Sequence, residues 1–322
     1  MKAVIQSTYG GPEILRFQDV EQPAIGPDEV LVRVRAASVN AADWIKLTGK
    51  PYLVRPLFGL VRPKQRIAGA AMAGEVAAVG AQVTAFAPGD EVYGEISGAF
   101  AEYARVRSDE IARKPRNLSF EQAAALPVAG TTALQGLRDK GHVKPGDSVL
   151  VNGASGGVGS LAVQIAKALG ATVTGVCSTS KVELVRSIGA DHVVDYRTDD
   201  FTTGDRRYDV ILDLAGTRPL ADCLRVMNPD GVFVSSVGKS EHAWLGVMPR
   251  LIGLRLAARR HSQTVSILMA HPSSADLDAL TAFAEAGQLR AVIDRTYPLG
   301  ETAEALRLFG SGRVQGKVGL VV

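Results

Sequence analysis

The residues best suited to chemistry lie between Val149 and Gly170. Gly153-Ala154-Ser155-Gly156-Gly157-Val158-Gly159 follows the apolar run Val149, Leu150, Val151 and precedes Leu161, Ile165 and Leu169. An apolar, β-branched run bounded by glycine reads as a buried parallel strand. Leucine and isoleucine recurring every fourth position share one helical face. Strand, glycine turn and helix in this order predict a dinucleotide-binding turn. The free N–H groups of the helix start would face a pyrophosphate. Gly156 lets the backbone approach the phosphates, Gly159 lets the helix pack close to the strand, and the positive end of the helix dipole faces the anion. Ala154 stands in place of the first glycine of the usual fingerprint, giving A-x-G-x-x-G. Gly170 is read as the helix terminator.

The next strand, predicted over Thr172–Cys177, runs into Ser178-Thr179-Ser180-Lys181. An NAD-binding fold places a carboxylate there to accept hydrogen bonds from the ribose 2′-hydroxyl. Here the segment carries hydroxyls and an ammonium, which suit a 2′-phosphate. NADPH is therefore the expected cofactor, held by Ser178, Thr179 and Lys181, with Arg197 a further candidate. The structural alternative is that Ser178 to Lys181 only cap the following helix.

Positioning that turn requires an alternating chain, and one is legible from about Ser119 onward. Ser119 with Gln122 forms a capping-box pattern, and a second helical stretch runs from Thr131 to about Lys140. Strands are predicted at Val149–Asn152, Thr172–Cys177, His192–Asp195, Asp209–Leu214 and Gly231–Val237, with Thr264–Ala270 a sixth. Helices fall near Gly159–Leu169, Lys181–Ile188 and Arg218–Met227. This alternation predicts a doubly wound α/β sheet. Before it, short alternating segments at Glu29–Ala36, Gly74–Val79 and Glu91–Tyr93 are separated by turns such as Pro88-Gly89-Asp90, which suggests a small β-barrel. After it come a helix over Asp276–Ala286, capped near Ser273 or Ser274, and strands at Asp294–Tyr297 and Lys317–Val322. The last is expected to pair back onto the first unit.

With 322 residues, 46% hydrophobic and 21% charged, the chain is long enough for about two domains with full cores. A net charge of +3 and the lack of a basic run give no reason to expect a nucleic-acid partner. No apolar stretch reaches the ~18 residues of a membrane span, and no leader pattern is seen, so no membrane partner and a cytoplasmic location are expected. The two cysteines, Cys177 and Cys223, form no C-x-x-C pair and are read as inert buried thiols. The five histidines are dispersed.

Taken together these segments resemble the zinc-independent quinone oxidoreductases, the zeta-crystallin-like branch of the medium-chain dehydrogenases/reductases. The resemblance spans nearly the whole chain. It rests on Tyr9-Gly10-Gly11-Pro12-Glu13, Ser38-Val39-Asn40-Ala41-Ala42-Asp43, Pro88-Gly89-Asp90-Glu91-Val92, Gly130-Thr131-Thr132-Ala133, the glycine turn, Leu184 to Asp191 and Gly316-Lys317-Val318. It implies a GroES-like β-barrel catalytic domain (1–122), a Rossmann NADPH-binding domain (123–271), a C-terminal return (272–322) and a homodimer. Zinc-dependent members of the superfamily have a cysteine where this chain has Asn40 and a His-Glu pair where it has Ala70-Ala71. The expectation is therefore metal-free chemistry, without a Lewis acid to polarise an alcohol or carbonyl.

By the same resemblance, Asn40 and Asp43 line the nicotinamide end of the cleft, and Trp44 and Tyr52 shape the substrate pocket. Tyr52 is the one nearby phenol available as a proton donor. Ser155, Gly156, Gly157 and Val158 hold the pyrophosphate, Thr132 approaches the nicotinamide, Tyr196 lies beside the adenosine, and Lys317 falls near the cofactor. Each has a structural alternative: Asn40 as a turn former, Asp43 as a helix cap, Trp44 and Tyr52 as core aromatics. The proline-flanked apolar run 51–60 is read as a lid over a hydrophobic substrate, and Trp244–Leu256 as an opposing wall or dimer contact. The implied function is NADPH-dependent reduction of quinones or α,β-unsaturated carbonyls by hydride transfer. The alternatives are a non-catalytic NADPH-binding or sensing protein and an NADP-dependent alcohol dehydrogenase.

Overall fold

Alternating burial shapes the N-terminal part of the chain. The computed structural model describes residues 1–236 and 262–322, and these divide into two units, Met1–Thr131 with Pro272–Val322, and Thr132–His271. In the first unit lie β1 (Lys2–Ile5), β2 (Arg16–Asp19), β3 (Glu29–Val39), β4 (Ala71–Val79), β5 (Glu91–Glu95), β6 (Tyr103–Arg107) and β7 (Ile111–Arg113). β3 points Val30, Val32 and Val34 into the core, with Arg33 exposed between them. From Ala36 to Val39 both of its faces are buried, which is why its second half reads as continuously small and apolar.

The second unit contains β8 (Ser148–Asn152), β9 (Thr172–Cys177), β10 (His192–Asp195), β11 (Tyr208–Asp213), β12 (Met227–Ser236) and β13 (Thr264–Leu268). They form a parallel sheet in the order β10-β9-β8-β11-β12-β13. The order reverses between β8 and β11, and such a switch point is where doubly wound sheets bind ligands. The helix Gly157–Ala168 follows β8 and buries Leu161, Ala162, Val163, Ile165 and Ala166.

The chain then returns to the first unit through the helix Ser274–Glu285, β14 (Ile293–Pro298), the helix Thr302–Gly310 and β15 (Lys317–Val321). Ser273 caps the first of these helices, its hydroxyl accepting from the Asp276 N–H. β15 pairs antiparallel with β3, Val318 opposite Val39 and Val321 opposite Ala36, so the expected return of the last segment onto the first unit is observed. The main sheet of this unit runs β14-β15-β3-β4-β5-β7, with β6 also on β3. β2, β6, β7 and the helix Thr302–Gly310 are additions to the expected elements.

The helix expected over Thr131–Lys140 begins earlier, at Pro127, and widens to a π-helix over Gln135–Lys140. Trp44 is half-buried and packs its indole against Gly310. The run 51–60 forms a 3₁₀ turn (Tyr52–Val54) and a single helical turn (Arg55–Phe58). Trp244–Leu256 lies outside the described residues. No described helix is long and apolar enough to cross a membrane.

Candidate active site

The first unit gathers three of the predicted residues into one buried group. Asn40 follows β3 directly and is the N-cap of the helix Ala41–Thr48; Asp43 is in the first turn of that helix; Lys317 opens β15. The β3–β15 register brings Lys317 to Asn40. Its Nζ donates to the Val39 carbonyl at 2.9 Å and to Asn40 Oδ1. Asn40 Nδ2 donates to the Ser38 carbonyl at 2.8 Å, and the Asn40 main-chain N–H donates to Asp43 Oδ2 at 2.8 Å. The last bond is half of a capping box, so the capping alternative for Asp43 is correct as local structure. It leaves Asp43 Oδ1 buried with no hydrogen-bond partner.

Burial sets the electrostatics of this group. It pushes the Asp43 carboxyl up to about 6, against the Asn40 N–H bond and the charges of Lys46 and Lys317. It pushes the Lys317 ammonium down to about 8, against the opposing pull of Asp43 and Glu95. Glu95, at the end of β5, is raised for the same first reason, burial. Glu95 was not foreseen from sequence. Its signal is a carboxylate closing the strand Glu-Val-Tyr-Gly-Glu after a buried stretch.

Tyr52 belongs to a different group. The Arg55 guanidinium lies 4.5 Å from the Tyr9 ring and 4.6 Å from the Tyr52 ring.

In the second unit the glycine turn forms as expected. Gly156 is the N-cap of the helix Gly157–Ala168 and offers no side chain to its first-turn N–H groups, and that turn carries no acid. These uncapped amides are a ready anion site. A Cβ at Gly156 would meet only the Gly153 carbonyl, at 3.5 Å, so the space above the turn is open. At Gly159 a Cβ would lie 2.1 Å from the Gly153 carbonyl oxygen and 2.8 Å from Ala154 Cα, so only glycine fits. Ser155 is buried, while Gly157 and Val158 are half-buried. Beside the turn, the ends of β8 and β11 are tied together. Asn152 Nδ2 donates to Asp213 Oδ1 at 2.8 Å, and the Gly216 N–H donates to the same oxygen at 2.9 Å. This buried pair was also missed; its signal is a polar residue ending each of two apolar strands.

Ser178 stands at the N-cap position of the 3₁₀ turn Thr179–Lys181 and Lys181 at that of the next helix, and neither side chain makes a capping hydrogen bond. The Thr179 hydroxyl donates to the Asp195 carboxylate, which this bond holds below its usual range. A carboxylate thus stands beside the hydroxyl cluster after all, supplied by β10, whose Asp195 pairs with Cys177. Tyr196 is 52% exposed, and its N–H donates to the Cys177 carbonyl. Thr132 is half-buried on the helix Pro127–Leu134. Cys177 and Cys223 are buried, and burial pushes the Cys177 thiol up to about 11, so it stays protonated.

Comparison with known proteins agrees with this geometry. A family described as the alcohol dehydrogenase GroES-like domain matches residues 26–116, and one described as zinc-binding dehydrogenase matches 188–320. The 2-methylene-furan-3-one reductase of Solanum lycopersicum is 34% identical over 99% of this chain and 78% of the relative. The structure of the quinone oxidoreductase from Coxiella burnetii matches with a TM-score of 0.86 at 30% identity, over 100% of this chain and 99% of that one. The chain belongs to the quinone oxidoreductase branch of the medium-chain dehydrogenase/reductase superfamily. As a member of that branch it is an oxidoreductase with a nicotinamide dinucleotide site. The chain is also similar to a crystal structure named as an NAD-dependent alcohol dehydrogenase, with a TM-score of 0.86 at 31% identity over 100% of both chains. The metal of the second family's name does not fit this chain. Asn40, Ala70 and Ala71 cannot form a ligand set, and no group of three or more His, Cys, Asp or Glu is placed to hold a metal among the described residues.

Proposed function

We propose that the protein is a metal-free, NADPH-dependent reductase of quinones or α,β-unsaturated carbonyls. The observation that carries the proposal is the buried Lys317–Asn40–Asp43 group, a set of hydrogen-bond donors and charges aimed at one place.

The dinucleotide fits the residues present, because the open Gly156 turn and the uncapped first-turn amides of the helix Gly157–Ala168 supply an anion cradle. In the second unit Ser155, Gly156, Gly157 and Val158 would hold the pyrophosphate, Ser178 and Lys181 the 2′-phosphate, Tyr196 the adenosine side and Thr132 the nicotinamide side; Lys317, in the first unit, is a cofactor residue by the resemblance alone. Thr179 would join the phosphate set on release from Asp195. When bound, the cofactor supplies a hydride.

The chain's own residues do the rest. Lys317 fixes the Asn40 amide by donating to its oxygen, and Ser38 takes one amide hydrogen. The second amide hydrogen would be offered to the acceptor's carbonyl oxygen in place of the Asp43 carboxylate. The ammonium adds positive potential where negative charge grows on that oxygen, in a buried and therefore weakly screened place. Such charge is delocalised in an enolate or hydroquinone anion, so hydrogen bonds suffice without a Lewis acid. Asp43 Oδ1, buried and unpartnered, is the acceptor through which a proton donor would be held. Tyr52, stacked on Arg55, is assigned to the wall of the acceptor pocket and not to the proton step. The homodimer implied by the resemblance belongs to the same proposal and is read by light scattering.

The test is loss of reduced-nicotinamide absorbance with a quinone and with a 2-alkenal, each with NADPH and NADH, with and without chelator. Chelator-insensitive turnover that prefers NADPH is expected. Reduction of NADP⁺ or NAD⁺ by simple alcohols, with no turnover of conjugated acceptors, would favour the alcohol dehydrogenase alternative. Cofactor binding with no turnover of any of these would leave the sensing alternative.

A further inference from the structure

The segment from Leu53 to Arg66 displays what folding ordinarily hides. Leu53 is 51% exposed, Leu57 73%, Leu60 68% and Val61 86%, half of the large exposed hydrophobics recorded for the described residues. Directly beside them, Ser7, Arg62, Pro63, Lys64 and Arg66 line a cavity of about 550 Å³. Arg62, Lys64 and Arg66 are exposed, and none makes an ion pair or a side-chain hydrogen bond with a described residue. Grouped apolar exposure on a folded surface marks an interaction site.

The display is held in place. The Tyr9 hydroxyl donates to the Gly59 carbonyl at 2.6 Å. The Gly59 N–H donates to Arg55 at 2.7 Å and the Lys64 N–H to Phe58 at 2.8 Å. Gly59 has φ +124°, and a Cβ there would lie 2.0 Å from the Arg62 carbonyl oxygen, so the turn depends on glycine. The Arg55 guanidinium, between Tyr9 and Tyr52, clamps the base of the segment. Little ordering therefore remains to be done on binding.

We propose that residues 53–66 form a docking surface for a bilayer containing anionic phospholipid. Leu53, Leu57, Leu60 and Val61 enter the boundary between headgroups and acyl chains, and Arg62, Lys64 and Arg66 hold phosphates. Apolar side chains flanked by unpaired cations are the pattern of interfacial binding. Guanidinium groups match phosphate oxygens in pairs. A small phosphate ester would fill the cavity and leave the four apolar side chains in water. Leu53, Leu57 and Leu60 belong to the run 51–60 read from sequence as a lid, which this proposal takes as a bilayer surface instead, and its test reads no turnover.

The full chain is sedimented with vesicles of phosphatidylcholine alone and of phosphatidylcholine mixed with phosphatidylglycerol. Pelleting with the mixed vesicles only, weakening as salt is added, is expected. Binding falls about tenfold or more in Leu57→Ser/Leu60→Ser/Val61→Ser and in Arg62→Glu/Lys64→Glu/Arg66→Glu, with the thermal midpoint unchanged. The single changes Val61→Ser and Lys64→Glu act in the same direction if either triple variant does not fold. No pelleting with mixed vesicles, equal pelleting with both kinds, or wild-type binding by the variants overturns the proposal. So does calorimetric binding of glycerol phosphate without vesicle binding, which would assign the cavity to a small anion.

Discussion

Lys317 donates its ammonium to the Asn40 side-chain oxygen across 277 positions of sequence. Both residues are buried, and the bond fixes which way the Asn40 amide points. The same ammonium bonds the Val39 carbonyl, and Asp43 and Glu95 pull on its charge. One lysine thus joins the start of β15, the end of β3 and the first turn of the next helix.

Replacing Lys317 with methionine removes the donor from two buried oxygens and the countercharge from Asp43 and Glu95. Leaving buried acceptors without their donor costs about 1–3 kcal/mol, and urea unfolding at neutral pH should show a loss of that order. A variant as stable as the wild type would mean that the ammonium is not paired in solution.

The two shifted groups also give stability a pH signature. Asp43 titrates at about 6 in the folded chain against 3.8 ordinarily, so the folded state holds the proton more tightly. Stability relative to Asp43→Asn should therefore fall as pH rises from about 4 to 6. Lys317 titrates at about 8 against 10.5, so the unfolded chain binds more protons above pH 8. Stability relative to Lys317→Met should rise from about pH 8 to 10.5. Unfolding midpoints at stepped pH, compared between wild type and each variant, check both slopes.

Gly156→Ala and Gly159→Ala separate cofactor binding from folding. The first places its methyl in open space above the turn, so unfolding should be unchanged while NADPH affinity drops at least about tenfold. The second drives a Cβ onto the main chain of Gly153 and Ala154, a clash expected to cost about 1–3 kcal/mol. Titration of cofactor fluorescence together with thermal unfolding distinguishes the two.

Cofactor preference should move in opposite directions at two positions. Lys181→Ala removes an ammonium from the turn after β9 and is expected to weaken NADPH about tenfold while leaving NADH little changed. Asp195→Asn removes the carboxylate that engages Thr179 and should strengthen NADPH relative to NADH. Binding of both cofactors to both variants reads this directly. An unchanged ratio in the two would exclude the Ser178–Lys181 turn from the 2′ position.

Tyr93 ties the returning segment to β5. Its hydroxyl donates to the Leu277 carbonyl at 2.5 Å and meets the Thr281 hydroxyl at 2.9 Å, on a side chain with 0% exposure. Tyr93→Phe keeps the ring and strands both partners, for an expected loss of about 1–2 kcal/mol in denaturant unfolding.

Local pattern carried most of the architecture. The parallel strands of the second unit were readable because each is a short apolar run between turn residues, and β9 and β10 fall on the expected residues. The glycine turn was readable because its residues are contiguous. β6 escaped notice although Tyr-Ala-Arg-Val-Arg alternates, since arginines on the exposed face lower its apolar signal. The helix Thr302–Gly310 escaped for want of a strong N-cap, despite Thr302, Ala305 and Leu306 on its buried face. The candidate site was legible only in part. That Lys317 meets Asn40 depends on strand register, and that Asp195 meets Thr179 depends on which strands are neighbours. Neither leaves a mark on local spacing. The exposed Leu53–Val61 segment shows a third limit: a search for membrane spans looks for length, and an interfacial surface has none.

The pairing of β15 with β3 also bears on the order in which the chain becomes structured. β3 cannot complete its ladder until a strand that follows the whole of the second unit reaches it. The second unit, continuous from Thr132 to His271, has no such wait. During synthesis it would be assembled while β3 still presents an unpaired edge, in the part of the chain made earliest. Open edges of this kind invite pairing with other chains, and closing so long a loop is slow. Refolding should thus be biphasic, the parallel sheet forming first, and losses to aggregation should track the interval before β15 docks.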